Sequence, residues 1–330
     1  DKLNLRCNKM EPLIHKPKNH KEWNESYYFV FYDPKQKIGG MTRLGFKPNK
    51  EEGMTFLFLF LPDGTVAGYQ ALEKKRNYPE GRSLRVGSMV HEPMSDGKWR
   101  YWFDDKMIVV RNPEDLPKVN NNPKLILKEP FVKMNLSFTP INEVYEYSEH
   151  MTEESRKVGE KSGDAHWEQI ATVEGDIIFG EERYQIKNCM GQRDHTHGIR
   201  EWTHIDYWLY YVIWFSKEFA VNPAAIITDD GKTSIGGFIY KNGSNIPIME
   251  IKILDQKFRD DSIPISSKLE LIDASGERYI LEGRAGPVIP VPFKDEEGRV
   301  SVLAQSFGKF KLDELEGGYG SFETLRRKSK

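Results

Sequence analysis

The sequence predicts an all-β chain folded as two antiparallel domains, and three observations carry that prediction. Short runs rich in β-branched and aromatic residues, alternating apolar with polar, recur from end to end. Between them stand clusters of turn chemistry such as Pro62-Asp63-Gly64 and Asp229-Asp230-Gly231. Outside one acidic stretch, no segment of about 12 residues repeats its apolar positions at helical spacing. Closed or nearly closed sheets are expected, because closure removes exposed edges. At 330 residues the chain also exceeds the roughly 250 to 300 at which single cores stop growing, so two cores are expected.

The elements follow in order. Residues 1–22 are polar and Lys-rich and read as an arm or edge. A meander then begins with YYFVFY (Tyr27 to Tyr32), turns at DPKQKIGG, and continues through MTRLGFKPNKEEG, MTFLFLFL and TVAGYQALEKK. Further strands are read at SLRVGSMVHEP, KWRYWFDD, KMIVVRN and KLILKEPFVKMNLSFTPI, with NPEDLPKVNNN as a loop. From Asn142 the composition turns acidic and polar, which fits a short helix plus linker. The first domain is therefore expected over residues 1–160 and the second over 161–330. HWEQIATVEGDIIFGEERYQI reads as two strands of the second domain, and alternating hairpins follow to the closing GGYGSFETLRR.

Composition excludes several functions. Forty-eight basic and 50 acidic residues leave a net charge of −2 with no long single-sign block, so a nucleic-acid partner is not expected. Cys7 and Cys189 are too few for a disulfide framework, and a reduced, cytoplasmic setting is expected. The opening DKLNLRCNKM lacks a basic and then apolar leader, and its first Asp reads as a trimmed start. The most apolar run, MTFLFLFLP, falls far short of the about 20 residues that span a bilayer, which points to a soluble protein.

Function is concentrated in Gly191 to Phe215, GQRDHTHGIREWTHIDYWLYYVIWF. Its second half, from Trp202, reads as one long strand. Alternation places Trp202, His204, Asp206, Trp208, Tyr210, Val212 and Trp214 on one face. A face that mixes an acid, a base and aromatic walls is that of a strand lining a pocket. Asp194 and Asp206 are the candidate proton donors, since a carboxyl walled by aromatics is desolvated and holds its proton more tightly. Arg193 and Arg200 oppose this, for a guanidinium in contact would keep the acid ionised. Gly198 is expected at a bulge or close backbone approach.

His195 and His197 project to one side, and Glu201 follows at the spacing of the cupin metal motif H-x-H-x-x-x-E. The later cupin elements are missing, and no His follows His204. No metal is therefore expected, nor is a phosphate loop, nucleophile elbow or CxxC pair present. On the closing strand, Glu323 would reach the pocket if the barrel closes its first strand against its last.

GQRDHTHGIREW resembles the G-x-R-D-H-S-W-G-x-R signature of the AttH and carotenoid hydratase group of lipocalin-like proteins. HWEQIATVEGDIIFGEERYQI, ESYYFVFYDP, GGMTRLGFKPN and GGYGSFE resemble other strands of that group. His197 stands where the group usually has Trp. The resemblance implies a tandem of two lipocalin-like β-barrel or β-sandwich domains with a hydrophobic cavity. It also implies chemistry in which an isoprenoid alkene is protonated and then hydrated or cyclised, without a cofactor. Asp194, oriented by His195, would be the donor, and Trp202, His204, Trp208, Tyr210, His197 and Glu323 would contact a hydrophobic substrate collected by peripheral contact with a membrane. A non-enzymatic carrier of a hydrophobic ligand and a cupin-like metal enzyme are the alternative readings.

Overall fold

The computed structural model describes residues 11–80, 83–201, 204–295 and 297–329. Two antiparallel sheets account for nearly all of it, as the alternating runs require. The first contains β1 (Trp23–Asp33), β2 (Ile38–Lys47), β3 (Glu52–Phe60), β4 (Val66–Lys74), β5 (Leu84–Val86), β6 (Met89–Pro93), β7 (Trp99–Lys106), β8 (Ile108–Val110), β9 (Ile126–Lys128), β10 (Phe131–Pro140), β11 (Tyr145–Glu146), β12 (Ala165–Phe179) and β13 (Glu182–Ile199). Their order is β5-β6-β7-β10-β12-β13-β1-β2-β3-β4-β8-β9, with β11 beside β12.

The second sheet is a closed barrel of eight strands in sequence order: β14 (Ile205–Trp214), β15 (Phe219–Thr228), β16 (Thr233–Lys241), β17 (Ser244–Arg259), β18 (Ile263–Asp273), β19 (Arg278–Lys294), β20 (Val300–Leu312) and β21 (Leu315–Arg327). The barrel closes first strand against last, with Tyr210 opposite Glu323. The curled sheet and the closed barrel form a tandem of lipocalin-like β-domains.

The β12–β13 hairpin corrects the expected boundary at residue 160. It belongs to the first sheet, where β12 pairs β10 and β13 pairs β1, so the chain changes sheets between Ile199 and Ile205. The acidic stretch is an insertion within the first sheet. Its one α-helix, α1 (Glu153–Gly159), is capped by Thr152 Oγ1, which accepts from Ser155 N at 3.1 Å. The helix leans on the barrel, where Ser234 Oγ donates to Ser155 O at 2.7 Å. Among the described residues no helix is long and apolar enough to cross a membrane.

Three apolar layers result. One lies inside the curl of the first sheet, around Phe29, Leu57, Trp99 and Phe138. A second fills the barrel with Tyr207, Leu209, Tyr211 and Ile213 from β14. The third lies between the sheets, where Tyr210, Val212 and Trp214 of β14 meet Tyr28, Val30 and Met41. Each fully buried large side chain contributes roughly 1.5–3 kcal/mol of transfer free energy. The middle layer therefore fixes how the two sheets face each other.

Candidate active site

That middle layer opens into a cavity of about 1080 Å³ between the first sheet and the outer wall of the barrel. Strand register builds one wall. Arg43 on β2, Tyr28 on β1, Asp194 on β13 and Glu168 on β12 stand opposite one another in a continuous row. Residues directly paired across a sheet share a face. The next row on the same face is Gly45, Ser26, Thr196 and His166. The barrel contributes Trp208 and Tyr210 from β14, Gln305 from β20 and Glu323 from β21.

Polar groups in this wall are linked. Trp208 Nε1 donates to Glu323 Oε1 at 3.1 Å, and Gln305 Nε2 donates to Glu323 Oε2 at 2.7 Å. Tyr28 in turn donates to Gln305 Oε1 at 3.3 Å. Behind the cavity surface, the Tyr210 hydroxyl donates to Glu168 Oε1, and Gln192 Nε2 donates to Glu168 Oε2 at 2.6 Å. His166 bridges Glu168 Oε1 at 2.8 Å and Thr196 Oγ1 at 2.7 Å. Asp194 differs. It is half-buried, lines the cavity, and has no side-chain hydrogen-bond partner among the described residues.

Burial raises all three carboxyls. Asp194 is pushed up to about 6, with His166 and the guanidiniums of Arg200 and Arg43 opposing and the neighbouring Glu168 adding to the rise. Glu323 reaches about 7 against the hydrogen bond from Gln305, and Glu168 about 8 against those from Tyr210 and Gln192. Burial also pulls His166 down to about 4, which keeps the imidazole neutral. The cavity thus holds acids that retain protons near neutral pH, beside the rings of Tyr28, Tyr147, Trp208 and Tyr210.

Several expected site residues lie elsewhere. β13 alternates, so His195 and His197 point away from Asp194 into the first sheet, and His195 does not orient that acid. His195 stacks on Tyr27 at 4.2 Å and sits between Glu11 and Glu25. His197 stacks on His15 at 3.7 Å. Arg193 shares that far face and bonds Glu11 at 2.5 Å, so it does not hold Asp194 ionised. Asp206 is exposed: β14 shifts register between Ile205 and Tyr207, and the extra residue leaves the cavity face. His204 is exposed beside a separate shallow depression with Asp229 and Lys232. Trp202 lies outside the described residues.

Trp208, Tyr210 and Glu323 do line the cavity with Asp194. Gly198 has φ +126°, and a Cβ there would meet Asp164 N at 2.2 Å, the expected close approach. Sequence reasoning missed Glu168, His166, Tyr28, Arg43 and Gln305. His166 and Glu168 share one parity of the HWEQI run, a signal that was legible once β12 was known to neighbour β13.

Among the described residues, two groups have potential metal-ligand atoms within 4.8 Å of one another: His166, Glu168 and Asp194 in the cavity wall, and His15, Glu25 and His195 on the far face. The cupin-like set is not among them, since Glu201 pairs with His20 at 3.2 Å.

The chain belongs to the family described as Domain of unknown function (DUF7064), whose model matches residues 11–328. No curated protein matches it. Among solved structures it is similar to a putative AttH from Nitrosomonas europaea, at 12% identity and a TM-score of 0.60, covering 94% of this chain and 93% of that one. Kievitone hydratase from Nectria haematococca matches at 9% identity and TM-score 0.54, and CghA at 9% and 0.55, each over 92% of this chain and 87% of the other. At these identities the likeness is one of fold.

Proposed function

We propose that the chain is a hydratase or cyclase that protonates a carbon–carbon double bond of a hydrophobic, isoprenoid-like substrate, with Asp194 as the donor and no cofactor. The observation that carries this reading is Asp194 itself: a carboxyl raised to about 6, facing an aromatic cavity, with no hydrogen bond to occupy it among the described residues. Its proton adds to one alkene carbon, leaving a carbocation on the other. The faces of Tyr28, Trp208 and Tyr210 stabilise that charge. Water then attacks the cation and loses a proton to the Asp194 carboxylate, so the net change is addition of water. In a cyclase, an internal double bond replaces the water, and loss of a proton from the cyclised cation restores the acid. Glu168 stands beside Asp194 as its proton reserve, held by the neutral His166, and Glu323 is the second donor candidate. That solved proteins of the same fold include a kievitone hydratase adds support.

The test is turnover in D2O of prenylated and isoprenoid alkenes by the wild type, Asp194→Asn and Glu323→Gln. One deuterium on carbon in the product is expected, with kcat reduced about 100- to 10,000-fold in Asp194→Asn. Product free of deuterium, or full activity in both variants, would sink the proposal, and binding of these alkenes with no turnover would leave a carrier of hydrophobic ligands as the better reading.

A further inference from the structure

The acids of the cavity fit a proton donor, but its cations need a separate account. Arg43 enters from β2, separated from Asp194 in its row by Tyr28 alone. Its guanidinium lies over Gly45, where a Cβ would come within 2.8 Å of Arg43 Nη1 and 3.1 Å of Cζ. Glycine there makes room for the group. Arg43 Nη2 donates to Asn24 Oδ1 at 3.0 Å, and the fully buried Asn24 is itself fixed by donating to Ser26 Oγ at 3.0 Å. One neutral acceptor therefore orients the guanidinium. Among the described residues no carboxylate comes within ion-pair distance of it.

Arg200 lines the same cavity from just beyond β13. Burial pulls both guanidiniums below the ordinary arginine value, Arg43 to about 10, and the charge of Arg200 adds to the fall at Arg43. Desolvating Arg43 with no carboxylate in contact among the described residues is unfavourable, and the second cation nearby makes it more so. An anion brought by the ligand would relieve both costs, and guanidinium forks match planar or tetrahedral oxyanions.

We infer that the cavity takes an amphipathic substrate whose anionic oxygen head group seats on Arg43 beside Arg200, with its hydrocarbon part lying over Tyr28, Trp208 and Tyr210 toward Asp194. This rests on the proposed function for the role of Asp194, but the head-group site stands on geometry of its own. A carboxylate and a phosphate share the required chemistry. Binding has a consequence for the donor as well: a head group that neutralises Arg43 and Arg200 offsets two of the fields that lower Asp194, which shifts the acid toward its protonated form.

The experiment is calorimetric titration of the whole chain near neutral pH with dodecanoate, dodecyl phosphate and dodecanol. At least one anion is expected to bind about tenfold or more tightly than the alcohol, the scale of a charge-assisted hydrogen bond, and which anion wins identifies the head group. Arg43→Gln should bring that preference within about threefold of unity, and Arg43→Lys should keep part of it. The wild-type comparison needs no variant to fold. Equal binding of all three probes, binding of none, or an undiminished preference in folded Arg43→Gln would overturn the inference. Asp194→Asn is expected to keep the preference while losing turnover. Preference without deuterium incorporation would sink only the chemistry, and deuterium incorporation without preference only the head-group site.

Discussion

The two faces of β13 both enclose carboxyls and treat them in opposite ways. Toward the barrel, Asp194, Glu168 and Glu323 are all raised by burial, and among the described residues no arginine pairs with any of the three. Toward the first sheet, burial also acts to raise Glu25 and Glu11. There, hydrogen bonds from His15 and His195 bring Glu25 down to about 2, and Arg193 with His195 holds Glu11 far below the usual range. The two acids in turn raise His195 against its own desolvation. Burial sets the cost of a charge, and contact with a cation decides whether the charge survives. One face is a clamp that ties residues 11–22 to the sheet; the other is kept poised for proton transfer.

The largest effect is expected from breaking the clamp. Arg193 bonds Glu11 through Nη1 and Nη2 and Gln169 through Nε at 3.1 Å, and it lies over the Trp99 ring. Arg193→Met leaves Glu11 buried beside only His195, and removing one partner of such a pair costs about 3–5 kcal/mol. Denaturant unfolding of wild type and variant measures this. A loss below about 1 kcal/mol would mean that the far-face network is not the clamp described here.

A smaller effect, opposite in slope on the two faces, sharpens the comparison. Asp194 has a folded value above its unfolded value of about 3.9, so its contribution to stability is present at low pH and is lost as pH rises through about 6. Asp194→Asn should therefore gain on the wild type between about pH 4 and 7, by about 1–3 kcal/mol, and then level off. Glu25 is depressed to about 2, so its contribution is present above about pH 4.3 and is lost as pH falls toward 2. Glu25→Gln should lose on the wild type at neutral pH and recover in acid. Parallel slopes in the two variants, followed by denaturant unfolding across pH, would show that the faces do not differ as stated.

The sequence made the strands, the turns at Asp63-Gly64 and Asp230-Gly231 and the short helix near Glu153 legible, because period-two alternation and turn chemistry are local. It also brings Trp208 and Tyr210 beside Glu323, since barrel closure puts the first and last strands side by side, whereas the irregularity expected at Gly198 hides the relation of Asp194 to them. It misassigned the β12–β13 hairpin, because nothing local says that this hairpin returns to pair with β1 and β10. That error carried His195 to the wrong partner: adjacent residues on a strand oppose each other, so the acid and base of Asp194-His195 never meet. Glu168, Tyr28 and Arg43 join the site only through cross-strand register, which adds residues far apart in the chain to one row.

The smallest expected effect belongs to Asp206, and its smallness is informative. Counting alternation straight through β14 puts Asp206 on the face of Trp208 and Tyr210, and on that basis it is a donor equal to Asp194. The register shift between Ile205 and Tyr207 gives β14 one residue more than its partner β15 at this point, and Asp206 is exposed while Ile205 and Tyr207 on either side are buried. The Asp206 side chain is not among those that line the aromatic cavity, so it is not placed to reach an alkene bound there. Asp206→Asn should then change stability by no more than about 0.5 kcal/mol, as surface substitutions do, and leave kcat within about twofold of wild type under conditions that abolish turnover in Asp194→Asn. A loss of activity in Asp206→Asn comparable to that in Asp194→Asn would mean that β14 carries no bulge in the working protein, and the donor would have to be sought on the barrel wall instead of on β13.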